Sequence, residues 1–199
     1  MKIVYFGGTF DPPTLGHYWM VKTVMENMTI DICFVQPCPT PGHRREKGMP
    51  SASIQQRYEM CKLQFEGPQG ISKTLVTDLE PRNQDITYTY ETLEKLHRQF
   101  PSDEIWVLMG ADELHEFPMW KEPLLILSFA NLVVIDRHGY DVSRTLIEGK
   151  LRNQVRVLHS IEGHEISASE IRHNLKQHES WLHIDVKDYI KQNHLYVRN

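Results

Sequence analysis

Two strings and one basic loop in this chain concentrate residue types suited to handling phosphate. The first string, Gly7-Gly8-Thr9-Phe10-Asp11-Pro12-Pro13-Thr14-Leu15-Gly16-His17, follows a β-branched and aromatic run from Lys2 to Phe6. Successive glycines let a backbone approach a ligand closely, and their N–H groups can cradle phosphate oxygens. His17 falls in the first turn of the next predicted helix, where unpaired N–H groups and the helix dipole favour anions. Gly-Gly alone reads more readily as a tight turn, with His17 capping a surface helix. Neither the G-x-G-x-x-G nor the G-x-x-x-x-G-K-[ST] phosphate loop occurs.

The second string, Ile166-Ser167-Ala168-Ser169-Glu170-Ile171-Arg172, stands near the other end. Ser167 and Glu170 have capping-box spacing, and Ile171 with Leu175 gives a helix an apolar face. A capped helix explains those residues but not Arg172, which shares a face with Ser169 beside a terminus suited to phosphate. Between the two strings, Pro37 to Pro50 reads PCPTPGHRREKGMP, too rich in proline for regular structure. Arg44, Arg45 and Lys47, with Arg57 beyond, make it locally basic. A solvated charged loop accounts for Arg45 and Lys47.

Periodicity supplies the elements that must position these residues. Lys2–Phe6, Ile32–Val35, Leu75–Thr77, Ile105–Met109, Leu132–Ile135 and Val155–Leu158 read as strands. Tyr18, Val21, Val24, Met25 and Met28 mark one helix, and Tyr90, Leu93, Leu96 and Phe100 another. Strand and helix in alternation predict a doubly wound parallel sheet covered by helices on both faces, an α/β fold. Ligands in such sheets bind at the carboxyl ends of the strands, where the first string lies.

Composition bounds the rest. The 199 residues are 40% hydrophobic and 24% charged, with a net charge of −4, the profile of an ordinary soluble protein. One domain over residues 1–199 is expected, its C-terminal helical part, about 160–199, carrying the second string. No basic excess draws the whole molecule to nucleic acid or an anionic membrane. The apolar stretch Leu124–Ile135 is far short of the roughly 20 residues of a membrane helix. Three cysteines without paired spacing point to reduced thiols, the N-terminus has no secretory pattern, and the expected compartment is the cytoplasm. No histidine pair at i, i+4 joins a third ligand, so no protein metal site is expected.

Gly-Gly-Thr-Phe-Asp-Pro followed by Thr-x-Gly-His resembles the signature of the nucleotidyltransferase superfamily, written H-x-G-H or T-x-G-H, and the second string resembles its I-S-x-T/S-x-x-R motif. The resemblance implies a Rossmann-like fold and an ATP site formed by Gly7, Gly8, Thr9, Phe10, Gly16, His17, Gly110, Asp112, Ser167, Ser169 and Arg172. His17 would stabilise charge developing at the α-phosphate, with Thr14 beside it as a second catalytic residue. Thr14 stands where many pyridine-mononucleotide enzymes have His, and a hydroxyl cannot carry positive charge.

Further strings are similar to those of the bacterial nicotinate-nucleotide adenylyltransferases over nearly the whole chain: Tyr88-Thr89 with Thr92-Leu93, Gly110-Ala111-Asp112 with Trp120, Pro41-Gly42-His43-Arg44, and the ending Ile184 to Leu195. That resemblance implies ATP and nicotinate mononucleotide as substrates, Mg²⁺ accompanying ATP, deamido-NAD and pyrophosphate as products, and a role in NAD biosynthesis. Arg44, Tyr88, Thr89 and Trp120 would bind the mononucleotide. Backbone N–H groups around Tyr88 and Thr89, opening a helix, suit a nicotinate carboxylate. Trp120 is equally an ordinary packing residue, and Asp112 equally an N-cap. Alternatives are a nicotinamide mononucleotide or phosphopantetheine adenylyltransferase, or a nucleotide-binding regulator without catalysis. Neither nucleic acid nor membrane is an expected partner, and a homo-oligomer stays open.

Overall fold

The computed structural model describes residues 1–40, 49–80, 86–136, 153–160 and 166–197. The elements in chain order are β1 (Lys2–Gly8), α1 (Leu15–Asn27), β2 (Ile32–Pro37), α2 (Ile54–Phe65), β3 (Thr74–Val76), α3 (Thr89–Gln99), β4 (Glu104–Gly110) and α4 (Ala111–Glu116). A 3₁₀ turn (Phe117–Met119), α5 (Pro123–Phe129), β5 (Asn131–Asp136), β6 (Val155–His159), α6 (Ala168–His173), a second 3₁₀ turn (Glu179–Trp181) and α7 (Ile184–Gln192) follow.

The six strands form one sheet in the order β3-β2-β1-β4-β5-β6, every pair parallel. This is the order of doubly wound dinucleotide folds, and the chain reverses direction across the sheet between β1 and β4. Pleating sends alternate β1 side chains to opposite faces. Ile3 and Tyr5 join Leu93, Leu96, Val107 and Leu132 under α3 and α5. Val4 and Phe6 join Val21, Val24, Cys61 and Phe65 under α1 and α2. Strands covered on both sides must be apolar throughout, which is why they read as unbroken hydrophobic runs.

A third cluster, Ala52, Met60, Ile171, Leu182, Val186 and Ile190, sets α6 and α7 against the outer side of α2. It fixes the second string, on α6, against α2. The cysteines are free thiols, two of them buried, and burial pushes the Cys33 thiol up to about 12. Among the described residues no helix is long and apolar enough to cross a membrane.

The strand expected at Lys2–Phe6 runs on through both glycines, which pair with Gln36 and Pro37 rather than forming a turn. Steric closeness explains the glycines. A Cβ on Gly7 would stand 2.7 Å from the Tyr5 hydroxyl and one on Gly8 2.9 Å from the Phe10 ring. The third strand runs over Thr74–Val76, one residue earlier than expected.

Candidate active site

β1 and β4 pair only from Lys2↔Glu104 to Tyr5↔Val107. Beyond that, Gly7 and Gly8 stay with β2 while Leu108, Met109 and Gly110 stay with β5. The two strands part, and a crevice opens at their carboxyl ends, where open α/β sheets place their ligands. Gly7, Gly8 and Gly110 thus edge one cleft.

The loop leaving β1 folds back on itself. Phe10 has φ +49°, and its side chain is buried, edge-on to Phe6, Phe65 and His17 with ring centroids 5.0–6.3 Å apart. Phe10 therefore offers a ligand its backbone while its ring braces the His17 imidazole. Thr14 is the N-cap of α1 and Gly16 is buried in its first turn. The Thr14 N–H donates to His17 Nδ1 over 3.0 Å, and the Thr14 hydroxyl lies 2.9 Å from the same nitrogen and accepts from the His17 N–H over 3.4 Å. An imidazole nitrogen that accepts from a backbone N–H carries no proton of its own. The neutral ring consequently holds its proton on Nε2, as a donor. Thr14 is 1% exposed, so its hydroxyl serves His17.

Sequence position groups Arg57 with the basic loop, whereas in the structure it lies in the interior at 1% exposure. It lies on α2 and donates to four carbonyls: Thr9 over 2.6 Å, Cys38 over 2.7 Å, Pro39 over 3.0 Å and Ala52 over 3.2 Å. One guanidinium thereby ties the glycine-rich loop to the segment after β2. Burial lowers its affinity for its proton, and Asp11 partly restores it.

Ser167 is the N-cap of α6 but makes no side-chain cap bond, so the expected capping box is not formed. Arg172 reaches across from α6, donating to the Asp11 carbonyl over 2.6 Å and to the Ser169 hydroxyl over 3.1 Å, with Nε 3.7 Å from an Asp11 carboxylate oxygen. The two strings, at opposite ends of the chain, therefore meet.

On the other side of the crevice, Tyr88 is the N-cap of α3 and its N–H donates to the Glu91 carboxylate over 2.9 Å. Of the two amides expected to meet a carboxylate, that of Tyr88 is already paired. Gly110 caps α4 and its N–H goes to Glu113 over 3.0 Å, so Asp112 stands exposed in the first turn and the alternative of an N-cap role does not apply to it. Trp120 is half-buried against Phe117 with ring centroids 5.5 Å apart, a packing contact that leaves part of the indole accessible. Arg44 lies outside the described residues.

Glu80 anchors α3 to β1, an arrangement no sequence motif announced. It is buried and accepts from the Tyr5 hydroxyl over 3.0 Å and the Thr92 hydroxyl over 3.1 Å, with the Cys38 thiol also beside its carboxylate. Burial raises its carboxyl above the ordinary value, against the pull of the Tyr5 and Thr92 hydrogen bonds. An acid with a raised folded-state pKa binds its proton more tightly folded than unfolded. Its contribution to stability is full below the unfolded value, about 4.3, and is lost as pH rises through the folded value. Glu80→Gln should therefore gain thermal stability relative to the natural chain between pH 4.5 and 8. Midpoints measured at both ends check this, and a constant difference would refute it.

Among the described residues no group of three His, Cys, Asp or Glu could hold a metal ion. Mg²⁺ held mainly by phosphate oxygens and water needs no such cluster.

The cytidylyltransferase-like family matches residues 5–174. The chain is 33% identical to a probable nicotinate-nucleotide adenylyltransferase of Dictyoglomus thermophilum, covering 99% of this chain and 100% of that one. A Clostridium acetobutylicum protein of the same description is 32% identical over 98% and 99% of the two chains. Among solved structures, a Plasmodium falciparum nicotinic acid mononucleotide adenylyltransferase complexed with NaAD superposes with a TM-score of 0.80 at 21% identity, over 98% of this chain and 97% of that one. At that identity the likeness speaks for the fold.

Proposed function

The chain belongs to the cytidylyltransferase-like family and, by its full-length relatives, to the nicotinate-nucleotide adenylyltransferases, and on that premise we propose that it joins ATP to nicotinate mononucleotide, giving deamido-NAD and pyrophosphate. The observation that carries this reading is the meeting of the β1 loop and Arg172 beside the β1–β4 crevice.

ATP lies along that junction. The backbone of Gly7 to Phe10 and the start of α1 border its phosphates, the polar groups of Gly8 being taken up by the ladder to β2, and Ser167, Ser169 and Arg172 hold the β- and γ-phosphates. Gly110 and Asp112 border the adenosine side. The mononucleotide enters from the α3 side, its pyridine ring against Trp120 and its carboxylate toward Tyr88 and Thr89, with Arg44 contributing charge. Because Glu91 occupies the Tyr88 N–H, Thr89 is the freer amide there.

The 5′-phosphate oxygen of the mononucleotide attacks the α-phosphorus in line, and the bond to pyrophosphate breaks as the new one forms. No group of the protein is adenylylated on the way. Little covalent work falls to the enzyme, so positioning and charge stabilisation supply the rate. His17 donates from Nε2 to the α-phosphate, strongest as negative charge gathers there. Thr14 and Phe10 fix that donor. Mg²⁺ brought with ATP would supply charge neutralisation at the phosphates, and among the described residues no cluster of protein ligands would be needed to hold it. Free thiols agree with a cytoplasmic enzyme.

A comparison of nicotinate and nicotinamide mononucleotide, with phosphopantetheine as a third acceptor, tests the substrate. A carboxylate met by amide donors should give nicotinate mononucleotide a kcat/KM at least about tenfold above its amide, the worth of one charge-assisted hydrogen bond. Equal values, or preference for another acceptor, would replace this assignment.

A further inference from the structure

The described residues beyond α7 include two with an unusual backbone conformation. His194 and Tyr196 have φ of +52° and +58°, a region that residues other than glycine seldom occupy. The turns bring the Tyr196 side chain back to the β1 loop. Its hydroxyl donates to Asp11 Oδ1 over 2.7 Å, across 185 residues of sequence. Leu195 and Tyr196 also pack against the α2–α7 cluster.

Asp11 is buried and its carboxylate is almost fully engaged. Oδ1 accepts from the Ala52 N–H over 3.0 Å and from Tyr196, and Oδ2 accepts from the Ser51 N–H over 2.7 Å. Arg172 Nε remains 3.7 Å from Oδ2, too far for a direct hydrogen bond, while its Nη1 is fixed on the Asp11 carbonyl. A cavity of about 440 Å³ opens on this junction, lined by Ser51, Ser169, Arg172, His173, Tyr196 and Val197. Three donors thus hold the Asp11 carboxylate away from full pairing with Arg172, and the guanidinium keeps charge for the cavity.

We propose that Tyr196 is a positioning residue for ATP, acting through Asp11 to keep Arg172 available to the triphosphate. The proposal rests on Arg172 being an ATP ligand, as in the function above. Without the tyrosine hydroxyl, Oδ1 keeps one donor, and the carboxylate turns its unspent charge on Arg172. The ion pair tightens and the guanidinium moves off the phosphate. ATP affinity falls, while the nicotinate side, built from α3 and Trp120, is untouched.

Tyr196→Phe removes one oxygen and tests this in the full chain. The expected result is a KM for ATP about tenfold higher, equal to about 1.4 kcal/mol, with KM for nicotinate mononucleotide unchanged. ATP binding measured calorimetrically should weaken by the same factor. On an Arg172→Ala background, Tyr196→Phe should have no further effect on ATP. Equal rises in both KM values, an unchanged ATP KM, full additivity with Arg172→Ala, or a chain that no longer unfolds cooperatively would each make Tyr196 merely structural. Arg172→Ala alone separates the two levels. If it leaves the KM for ATP unchanged, the ATP site itself is misplaced; if it raises that KM while Tyr196→Phe does not, only the tail proposal falls.

Discussion

His17→Ala is expected to lower kcat by about a hundredfold or more, as the loss of one preorganised transition-state donor does elsewhere. The KM for ATP should change far less, because the donor is strongest once charge has moved onto the α-phosphate. The effect is large because the ring is held so fully. Thr14 N–H fixes the tautomer from one side, and Phe10 meets the ring edge-on with centroids 5.0 Å apart. Steady-state rates with both substrates saturating provide the check. A near-normal kcat would remove His17 from the chemistry and with it the role given to Thr14.

The largest loss of stability should come from Arg57→Leu. Four carbonyl oxygens lose their donor together, and each buried unsatisfied group costs about 1–3 kcal/mol, although such costs do not add in full. A net destabilisation of about 3–5 kcal/mol is expected, near that of breaking a buried ion pair. For a chain of this size it would lower the thermal midpoint by roughly 6–20 °C. Catalysis should suffer as well, since the Thr9 carbonyl held by Arg57 belongs to the loop proposed to meet phosphate. Arg57→Lys keeps the charge but not the fork that reaches four carbonyls, and should fall between the two. Thermal unfolding of both variants decides the matter. A midpoint within two degrees of the natural chain for Arg57→Leu would mean that the carbonyls find other donors.

The same residue shows why part of the fold was hidden in the sequence. The buried face of α2 is Arg57, Met60, Cys61, Gln64 and Phe65, a helical stripe by spacing, yet two of its members are polar. Gln64 donates to the Thr14 carbonyl over 3.0 Å, as Arg57 does to its four. A search for apolar periodicity passes over such a helix because its interior contacts are hydrogen bonds. Ser53 and Gln56 form a capping box there, and that pair was the available signal. The strands were legible for the opposite reason. Central parallel strands have no polar face, so Ile105–Met109 and Leu132–Ile135 stand out without any partner being known.

The site was legible where a motif is local and obscure where it is assembled. Thr14 and His17 are one turn apart, and Ser169 and Arg172 likewise, so each pair could be placed on its helix from spacing alone. What brings the pairs together lies in residues of unrelated position. Asp11 joins residues 51, 52, 172 and 196, and Glu80 joins Tyr5 to Thr92. Side-chain use was also out of reach. Spacing placed Asp112 at a helix start but could not show that Glu113 takes the Gly110 amide.

A net charge of −4 is at first sight unsuited to two polyanionic substrates. The site proposed at the β1–β4 crevice would resolve it, because amides, helix starts and Arg172 are local and need no basic surface.

The most direct measurement is a single reaction of the purified chain with ATP, Mg²⁺ and nicotinate mononucleotide, followed for pyrophosphate and, by mass, for the second product. Equal amounts of pyrophosphate and deamido-NAD, with His17→Ala slower by about a hundredfold or more, are expected. ATP binding without either product would contradict adenylyl transfer and leave a nucleotide-binding regulator in its place.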